Sequence, residues 1–404
     1  MDETNVPMLL ITANVGSLFE DRENKEKIWV EKILETFEKF DPSFVALHFQ
    51  ECGGKVAAEA AFESVEDFTR ALLKNEKICL RFDRRFAWID QDFQKAEKFT
   101  ALGCIYFIKK SLKNILVWNH QESQFVSTKV EEIKVGDLSD VSCVQKLKFP
   151  REFFPQLKWS RKGFMRTRWK INNCIFDLLN IHLFHDASNL EAMQMSPSDY
   201  SQARHRALKH ILERLENDSL PKAPCILFGD FNFRLDTKAV VESLCAGLQS
   251  QYIRKDGESI PSKVLFRDKK ISDKVVLAVE TKKFVVHDQS YFHSEDGKRF
   301  QKYNREFEEF QNKLYEFNIS FPPSYPFSDD IKEGMLYNNS RCPSWCDRVF
   351  LSHSARKMVI QDVDHSVTYD MIGRKVCMGD HKPVYLHFYL DSLREVLSVT
   401  QELK

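Results

Sequence analysis

Short apolar runs of strand length recur along the whole chain and alternate with segments of helical periodicity. This pattern constrains the fold most, because each apolar run must be buried by pairing with other strands and by helices packed on the resulting sheet. We predict strands over Met8–Thr12, Ser43–Phe49, Ala101–Ile108, Phe164–Ile171, Cys174–Asn180, Cys225–Phe228, Arg348–Ser352 and Pro383–Leu390. Because hairpin-like and crossover spacings both occur, the pattern indicates an α/β protein with mixed sheets and helices outside.

Two stretches place apolar residues at helical spacing. Lys25–Phe40 carries Trp29, Ile33 and Phe37 along one face, which predicts an amphipathic helix. A second set with this spacing comprises Phe300, Tyr303, Phe307, Phe310, Leu314 and Phe317. We interpret Phe300–Phe317 as a helix that packs on the core, and a membrane-facing helix is the alternative.

The charges of the chain are balanced. Its 404 residues include 59 Lys and Arg and 59 Asp and Glu. Neutral net charge provides no overall attraction to nucleic acid, so an anionic ligand must be bound by a local cluster of basic residues. No linker or composition shift divides the chain, which predicts a single domain over residues 1–404.

The cysteines and the chain ends bear on location. Ten cysteines without the paired spacing of a zinc site, and no signal peptide, predict reduced thiols in a cytoplasmic protein. No apolar run is long enough for a transmembrane segment. The sequence ends without a lipidation box, so we expect plasma-membrane association only if the natural chain continues into one.

Polar residues follow or end six of the apolar runs. They are Asn14, Glu51, His182, Asp230, Asp347 and the pair Asp380–His381. Loops at strand ends are where a rigid scaffold brings catalytic groups together. One such residue has little meaning, whereas six indicate a shared site.

The segment FGDFNFR (Phe228–Arg234) places Asp230 and Asn232 directly after a predicted strand. A Gly-Asp-x-Asn turn also forms as an Asx-turn or a helix cap. The same spacing allows Asp230 to orient an attacking water while Asn232 holds that water or a phosphate oxygen. Taken alone, the segment supports both interpretations equally.

Two segments offer groups for a metal ion and an oxyanion. Glu51 in HFQECGG and Asp380 in GDHKPV carry the oxygen ligands that Mg²⁺ favours, although a lone Glu in a loop is usually only solvated. His381 can donate a hydrogen bond to an oxyanion. An ordinary turn before the final strand, with Lys382 exposed, is the alternative for GDHKPV.

Three signals are weaker. Asn180 and His182 in NIHLFH alternate, so they share one strand face, but His182 can equally be a core histidine. Asn14 in TANVG lies in ordinary turn material. The segment Lys158–Lys170 has six basic residues in thirteen, and its Arg166, Arg168 and Lys170 fit a solvated edge face at least as well as a phosphate site.

The segments FGDFNFR and RCPSWCDRV (Arg341–Val349) resemble the two signature motifs of the inositol polyphosphate 5-phosphatases. TANVG, FQE, NIHL and GDHKPV also follow the order of the wider deoxyribonuclease I-like superfamily, so the resemblance extends over residues 8–390. It implies a four-layer α/β/β/α sandwich of two mixed, mostly antiparallel sheets packed face to face with helices outside. Among subgroups, the chain is most similar to the type I inositol 1,4,5-trisphosphate 5-phosphatases.

The resemblance implies Mg²⁺-dependent hydrolysis of a phosphomonoester. The implied metal ligands are Glu51, Asn14 and Asp380. Asp230 is implied to orient and deprotonate the attacking water, and Asn232 to help position it.

Further roles are implied around the phosphate. His381 would contact the scissile phosphate, with Asp347 on its other ring nitrogen, while His182 and Asn180 would stabilise charge on the phosphate oxygens. The implied substrate-binding residues are Lys162, Arg234, Arg341, Lys382 and Tyr325.

The chain departs from the family at two positions where lysines grip the phosphate next to the scissile one. Pro326 follows Tyr325 where the family has a Tyr-Lys pair, and Asn339 occupies the second lysine position. The basic segment Lys158–Lys170 is then the nearest dense source of charge, and Lys162 is the best single candidate for the remaining phosphates.

The implied substrates are soluble inositol phosphates, the 1,4,5-trisphosphate and the 1,3,4,5-tetrakisphosphate, whose hydrolysis ends a calcium-mobilising signal. A lipid 5-phosphatase and a nuclease of the same superfamily are the alternatives, and the specific motif and neutral charge weigh against nucleic acid as a partner. A catalytically inactive binding module is disfavoured because every strand-end polar residue is retained. We also expect no cluster of exposed aliphatic residues on the loops that carry the motifs.

Overall fold

The structure, a computed structural model, describes residues 4–53, 59–93, 95, 97–154, 161–254 and 261–393. Its strands are, in chain order, β1 (Asn5–Asn14), β2 (Phe44–Gln50), β3 (Arg84–Asp90), β4 (Gly103–Ile108), β5 (Ile115–Asn119), β6 (Gln124–Ser127), β7 (Glu131–Gly136), β8 (Gln145–Lys148), β9 (Gly163–Ile171), β10 (Cys174–His182), β11 (Cys225–Asp230), β12 (Gln249–Ile253), β13 (Lys263–Asp268), β14 (Lys274–Glu280), β15 (Lys283–Val286), β16 (Leu314–Tyr315), β17 (Asp347–Ser352), β18 (Val359–Ile360), β19 (Thr368–Met371) and β20 (Val384–Asp391).

Helices connect and cover these strands. They are α1 (Gly16–Glu20), α2 (Arg22–Phe40), α3 (Glu59–Leu73), α4 (Glu76–Arg81), α5 (Asn189–Ala192), α6 (Asp199–Glu216), α7 (Thr237–Leu244), α8 (Ser290–His293), α9 (Lys298–Gln301) and α10 (His353–Arg356). Short 3₁₀ segments occur at Arg151–Phe153, Ser294–Gly297 and Glu308–Phe310. None of the described helices is both long and apolar enough to cross a membrane.

Two large sheets form the centre of the fold. The first has the order β18–β20–β1–β2–β4–β3–β7 with β19 beside β20, and the second has the order β16–β17–β11–β10–β9–β5–β6 with β8 beside β9. Parallel pairing occurs at β1/β2, β3/β7 and β10/β11, while the remaining neighbours are antiparallel. The predicted mixed, mostly antiparallel sheets are confirmed.

Three hydrophobic clusters define four layers. The largest lies between the sheets, where Met8 and Phe44 of the first sheet share a core with Trp169 and Phe228 of the second. Side chains of α2 and α3 cover the outer face of the first sheet, and side chains of α6 cover the outer face of the second. The α/β/β/α sandwich implied by the resemblance is therefore confirmed.

The predicted strands are all present, and several are longer than predicted. In particular, β10 continues to His182 and β11 to Asp230, and β17 begins at Asp347. Five of the predicted site residues, Asn14, Asn180, His182, Asp230 and Asp347, thus lie on strands rather than in loops, which fixes their backbone through the sheet hydrogen bonds. The helix predicted from Lys25 begins at Arg22.

The helix predicted over Phe300–Phe317 is wrong. The segment contains α9, a 3₁₀ segment and the short strand β16. Its six apolar side chains are all buried, but Phe300, Tyr303 and Phe317 join the core between the sheets while the other three join the core under α6. One straight helix could not reach two cores on opposite faces of a sheet, so the chain bends.

On the basic face of β9, the two arginines are neither solvated nor available to a phosphate, while Lys170 is half-buried. Arg166 and Arg168 are buried, and both donate to the carboxylate of Asp177 on neighbouring β10, at distances from 2.6 to 3.0 Å. The structural reason is that Asp177 lies opposite Arg168 in the register of β9 and β10. Residues 158–160 of the predicted basic segment lie outside the described residues.

A third, four-stranded antiparallel sheet, in the order β12–β13–β14–β15, was not predicted. Val264, Leu277, Val279 and Phe284 attach it to the core between the large sheets. Its sequence has short strands with many lysines, so the apolar alternation that marks a strand is weak.

Candidate active site

The strand registers bring the polar strand ends together at one edge of the two sheets. β1 ends at Asn14, which pairs in parallel with the last residue of β2, and Glu51 follows that residue. In the second sheet, Asp230 at the end of β11 lies beside His182 of β10 and Asp347 of β17. Because parallel neighbours end at the same edge, backbone pairing brings these side chains together within each sheet, and the packing of the two sheets brings Asn14 within hydrogen-bond distance of Asp230.

His381 lies between two carboxylates. Its Nδ1 is 2.9 Å from Asp347 Oδ2, and its Nε2 is 4.0 Å from Asp230 Oδ2. The hydroxyl of Ser324 donates to the same Asp347 oxygen at 2.7 Å. Burial alone would lower the pKa of His381, but Asp347 and Asp230 raise it to about 9, so the imidazole is cationic at neutral pH.

Asp230, Asp347 and His381 each offer a potential ligand atom within 4.8 Å of one another. A histidine must be neutral to bind a metal ion, and the raised pKa of His381 opposes this. We therefore interpret this cluster as a proton-holding group, and the oxygen ligands for a cation lie elsewhere in the site.

Asp230 is a buried carboxylate surrounded by donors. Asn14 Nδ2 donates to Oδ2 at 3.0 Å, the backbone N–H of Asn232 donates to Oδ1 at 2.8 Å, and His182 Nε2 is 3.3 Å from Oδ2. Burial opposes ionisation, but the charge of His381 and the contact with His182 hold the pKa of Asp230 below its usual range. Asp230 is therefore ionised and able to accept a proton.

Asn232 orients Asp230. Its backbone has a φ of 50°, in the left-handed region that Asn tolerates better than most residues. Its side-chain amide nitrogen donates to Asp230 Oδ2 at 3.1 Å and to the carbonyl of Leu183 at 3.0 Å, and its oxygen accepts from Arg234 at 2.7 Å. Each polar atom of this side chain has a protein partner, so Asn232 acts on a bound water through Asp230.

Oxygen ligands for a cation converge around Gly16. A side chain there would place its Cβ 2.7 Å from Glu51 Oε2 and 3.3 Å from Asn14 Oδ1. Next to Gly16, the Ser17 hydroxyl donates to Asp380 Oδ1. Glu51 and Asn14 thus place a carboxylate and an amide oxygen against Gly16, where a larger residue would displace them, and the Asp380 carboxylate is bonded to the next residue. Such a set of oxygens fits a divalent cation.

The charge of Glu51 suits this role. Burial opposes its ionisation, but Lys162 and His182 hold its pKa at about 2. The Nζ of Lys162 is 3.7 Å and the Nε2 of His182 is 3.6 Å from Glu51 Oε1. Glu51 is thus fully ionised at neutral pH.

Lys162 lies in the centre of the site, which differs from the peripheral position expected from the sequence. Its Nζ contacts His182 Nε2, and its side chain is buried beside Glu51. The reason is the register, in which Gly163 at the start of β9 pairs with His182 at the end of β10. The lysine just before Gly163 must therefore point toward the catalytic residues instead of toward remote phosphates.

Arg234 and Arg341 form a cationic rim next to His381. The guanidinium of Arg234 stacks 4.5 Å from the ring centroid of Tyr325, whose ring lies 4.3 Å from that of His381. Arg341 is partly exposed, and its Nη2 donates to the carbonyl of Asp186 at 3.1 Å. Arg234 is buried and also donates to Asn232 Oδ1 at 2.7 Å, whereas Arg341 retains exposed surface, so the two guanidinium groups add positive charge beside His381.

Lys382, predicted to bind substrate or to be exposed, does neither. It is buried, and its Nζ donates to the carbonyls of Gly334, Gly373 and Val376, each at 2.7 Å. These bonds use all three donors of the ammonium group. Lys382 therefore ties two loops together behind the site.

Asn180 is likewise committed to structure. Its Nδ2 donates to the carbonyls of Phe49 at 2.9 Å and Gly103 at 2.8 Å, and its Oδ1 accepts from Gln50 at 2.8 Å. These bonds join β10 of the second sheet to β2 and β4 of the first. Asn180 thus aligns the two sheets and has no donor left for a phosphate oxygen.

The site contains residues that the sequence analysis did not select. His185 lies close to Glu51, and burial together with the neighbouring Lys162 lowers its pKa to about 3. Arg161 favours the ionised form of Glu51. His185 belongs to the segment NIHLFH and Arg161 to the basic segment Lys158–Lys170, so the sequence analysis could have selected both from these segments. Ser324 reaches the site only through tertiary contacts.

A buried ion network supports the rim. Arg204 of α6 donates to both oxygens of Glu306, at 2.8 and 2.6 Å, and to Asp186 Oδ1 at 2.5 Å. Glu306 in turn accepts from the backbone N–H of Arg234 at 3.0 Å. Such a buried network specifies one position for the Arg234 loop, because breaking any partner would leave an unpaired charge.

Comparisons with known proteins agree with this geometry. Residues 266–387 match the Endonuclease/Exonuclease/phosphatase family 2. Inositol polyphosphate-5-phosphatase A of Homo sapiens is 44% identical over 383 residues, which is 94% of this chain and 92% of the relative. A Caenorhabditis elegans protein called probable type I inositol 1,4,5-trisphosphate 5-phosphatase is 36% identical over 423 residues, which is 95% of this chain and 99% of that protein. This chain belongs to the inositol polyphosphate 5-phosphatases.

Solved structures share the fold of this 5-phosphatase at low sequence identity. The 5-phosphatase domain of SpSynaptojanin, in complex with inositol (1,4)-bisphosphate and calcium, is 14% identical, with a TM-score of 0.50 over 96% of this chain and 84% of that one. Cimex nitrophorin, as a ferrous NO complex, is 12% identical, with a TM-score of 0.50 over 96% and 99%. Since such different ligands occur on one fold, the fold alone does not define the function.

A first prediction concerns the cation. We expect Glu51→Gln in this 5-phosphatase to raise the divalent-cation concentration for half-maximal activity at least about tenfold, because the main charged ligand is lost. Gly16→Ala should act in the same direction by displacing Glu51 Oε2. Activity is titrated with Mg²⁺, and thermal melting checks the fold. Exposed Glu35→Gln is the control, and an unchanged Mg²⁺ requirement in Glu51→Gln would remove Glu51 from the site.

Proposed function

We propose that the chain hydrolyses the 5-phosphate of soluble inositol phosphates, namely the 1,4,5-trisphosphate and the 1,3,4,5-tetrakisphosphate, with Mg²⁺ as the cofactor. The observation that carries the proposal is the pairing of a cationic His381 with an ionised Asp230 beside oxygen ligands for a cation. The substrate class is supported by the curated relatives, whose names specify inositol polyphosphate and inositol 1,4,5-trisphosphate. Removal of this phosphate would end a calcium-mobilising signal.

Different residues of the chain have different roles in an in-line attack by water. Asp230 accepts a proton from the water, and its orientation is set by Asn14 and Asn232. His381 donates a charge-assisted hydrogen bond to a phosphate oxygen while Asp347 holds its other nitrogen. Positioning and electrostatic stabilisation dominate in this chemistry, and no covalent enzyme intermediate is required.

Cations surround the scissile phosphate. Glu51, Asn14 and Asp380 would hold Mg²⁺, which when bound supplies neutralisation of charge on the phosphate oxygens. Lys162 and His182 face the same space from β9 and β10. Lys162 and His381 thus offer positive charge where negative charge develops, while burial and the neighbouring Lys162 lower the pKa of His182 and favour its neutral form.

The experiment is phosphate release from a panel of compounds, with and without Mg²⁺. It includes inositol 1,4,5-trisphosphate, inositol 1,3,4,5-tetrakisphosphate, a 5-phosphorylated phosphoinositide in mixed micelles, and abasic DNA. We expect efficient, Mg²⁺-dependent release from the soluble inositol phosphates. Efficient cleavage of DNA without release of phosphate from any inositol compound would replace the proposal with a nuclease.

One observation favours a lipid substrate as the second candidate. Ile331, Met335 and Leu336, in the loop between Tyr325 and Arg341, are 44%, 51% and 48% exposed. The expectation of no exposed aliphatic cluster near the motifs is therefore wrong, because this loop turns its apolar side chains outward. Equal kcat/KM on the micellar lipid and the free trisphosphate would favour this candidate, since exposed apolar side chains can enter a lipid surface.

A second prediction separates the centre of the site from its rim. Lys162→Met should lower kcat/KM about 10²-fold on both inositol 1,4,5-trisphosphate and inositol 5-monophosphate, because the charge acts at the scissile phosphate. Arg341→Met should affect the trisphosphate about tenfold more than the monophosphate, because its partner phosphate is absent from the monophosphate. Steady-state kinetics on the two substrates make the comparison. If Lys162→Met spared the monophosphate, Lys162 would belong to the rim.

A further inference from the structure

A turn of the third sheet lies beside the rim of the candidate active site. β14 ends at Glu280 and β15 begins at Lys283, so Thr281 and Lys282 form the turn. The backbone N–H of Asn189 donates to the carbonyl of Thr281 at 2.9 Å. Its Nδ2 donates both to the carbonyl of Glu280, at 3.3 Å, and to that of Ser340, at 2.9 Å. One asparagine therefore joins the turn to the residue that precedes Arg341.

Strand β15 is attached to the same segment. The backbone N–H of Phe284 donates to the carbonyl of Asn339 at 2.8 Å. Gln289 then exchanges two hydrogen bonds with the backbone of Tyr337, at 2.9 and 3.0 Å. Lys283, immediately before Phe284, is thus held next to Asn339. Asn339 in turn lies two residues before Arg341 in the chain.

The charge of this turn is positive. Lys282 and Lys283 are exposed, and Lys263 lies on the neighbouring strand. Glu280 is the acidic residue here, 3.0 Å from Lys263 and 4.0 Å from Lys283. No carboxylate in the described part of the chain lies within ion-pair distance of Lys282. Three lysines against one glutamate leave the turn positively charged in a protein whose net charge is zero.

We propose that Lys282 and Lys283 bind a ring phosphate of the inositol substrate other than the scissile 5-phosphate. The inference rests on the proposed function and specifies its substrate recognition. Arg341 follows Ser340, which Asn189 joins to the turn, so Lys282 and Lys283 add positive charge to the part of the rim that carries Arg341. A lysine carries its charge on a flexible four-carbon stem, so the pair can reach a phosphate that both the tris- and the tetrakisphosphate carry.

The chain supplies a matched control for this pair. Lys269 and Lys270 are also exposed and lie in the turn between β13 and β14, at the opposite end of β14. A strand of seven residues separates the two turns by about 20 Å. Both pairs belong to one sheet, so a general loss of charge or stability would affect them alike.

The test compares K282E/K283E with K269E/K270E at low and at physiological salt. On inositol 1,4,5-trisphosphate we expect KM to rise about tenfold in K282E/K283E, with kcat within about twofold of wild type and with less effect as salt increases. K269E/K270E should leave KM within about twofold. K282A/K283A should show a smaller rise, and thermal melting should be unchanged in all three. The KM for inositol 5-monophosphate should stay the same.

The same phosphates occur on a lipid headgroup, so a 5-phosphorylated lipid in anionic vesicles forms a second arm. A loss confined to the vesicles would mean that the lysines contact the membrane surface, and this would overturn the inference. Equal KM values for both double variants on the trisphosphate would also overturn it while leaving the proposed function intact. If the wild-type protein did not cleave the trisphosphate at all, the proposed function itself would fail, and the inference would fail with it.

Discussion

Asp230→Asn is expected to lower kcat on inositol 1,4,5-trisphosphate by about 10²–10⁴-fold, the largest loss of any single substitution in this site. The amide has nearly the shape of the carboxylate but cannot accept a proton from water. KM should change little, because in the proposed mechanism Asp230 acts on the water while Lys162 and Arg341 bind the phosphates. In free-energy terms, the substitution removes an interaction made in the transition state.

Steady-state and single-turnover kinetics measure this effect. Exposed Asp364→Asn is the control, since it also removes one carboxylate charge but lies far from the polar strand ends. Binding of the trisphosphate to Asp230→Asn should remain measurable. Near-normal turnover in this variant would show that the attacking water is activated by another group.

Asp347→Asn is expected to reduce kcat by about 10²–10³-fold and to change its pH dependence. Asp347 is the nearest charge that raises the pKa of His381, which is about 9 in the structure. The cationic form of His381 is populated below its pKa, so wild-type activity should decline as pH rises through about 9. Without the Asp347 carboxylate the pKa falls, and the decline should begin at lower pH.

The measurement is a profile of kcat from pH 6 to 10 for wild type, Asp347→Asn and His381→Ala. We expect His381→Ala to lose this alkaline decline altogether. The double variant should be no worse than the poorer single variant, because the two residues act as one unit. An alkaline limb at the same pH in wild type and Asp347→Asn would mean that His381 is not the group that titrates.

Much of the fold and of the site could be predicted because both depend on local pattern. Strands such as β10 and β11 consist mostly of apolar residues, which indicates that both of their faces are buried. Asp230, Asp347 and His381 each stand at the end of such a run. Parallel and antiparallel registers then bring them together, so a list of strand-end polar residues nearly equals the site.

The directions of long side chains could not be predicted in this way. Lys162, Arg168 and Lys382 all read as candidate cations in the sequence. The structure points Lys162 at His182, pairs Arg168 with buried Asp177, and binds Lys382 to three backbone carbonyls. The acceptor that a lysine or arginine contacts is determined by the neighbouring strand or loop in the fold. The residue type alone does not indicate which acceptor that is.

The sequence by itself determined the layers of the sandwich, the family and the groups that perform the chemistry, because burial periodicity and the signature motifs are properties of short segments. Only the tertiary structure decided which acceptors the long cationic side chains contact and which of these side chains lie at the rim of the site. The turn at Lys282 reaches the rim at Arg341 through Asn189, which lies 91 residues before Glu280 and 151 residues before Ser340 in the chain, and no local pattern encodes such a contact. The physical reason is that an exposed lysine or arginine has little effect on the free energy of folding wherever it occurs. Its position is therefore set by how the segments pack, and the pattern of buried residues in the sequence does not indicate it.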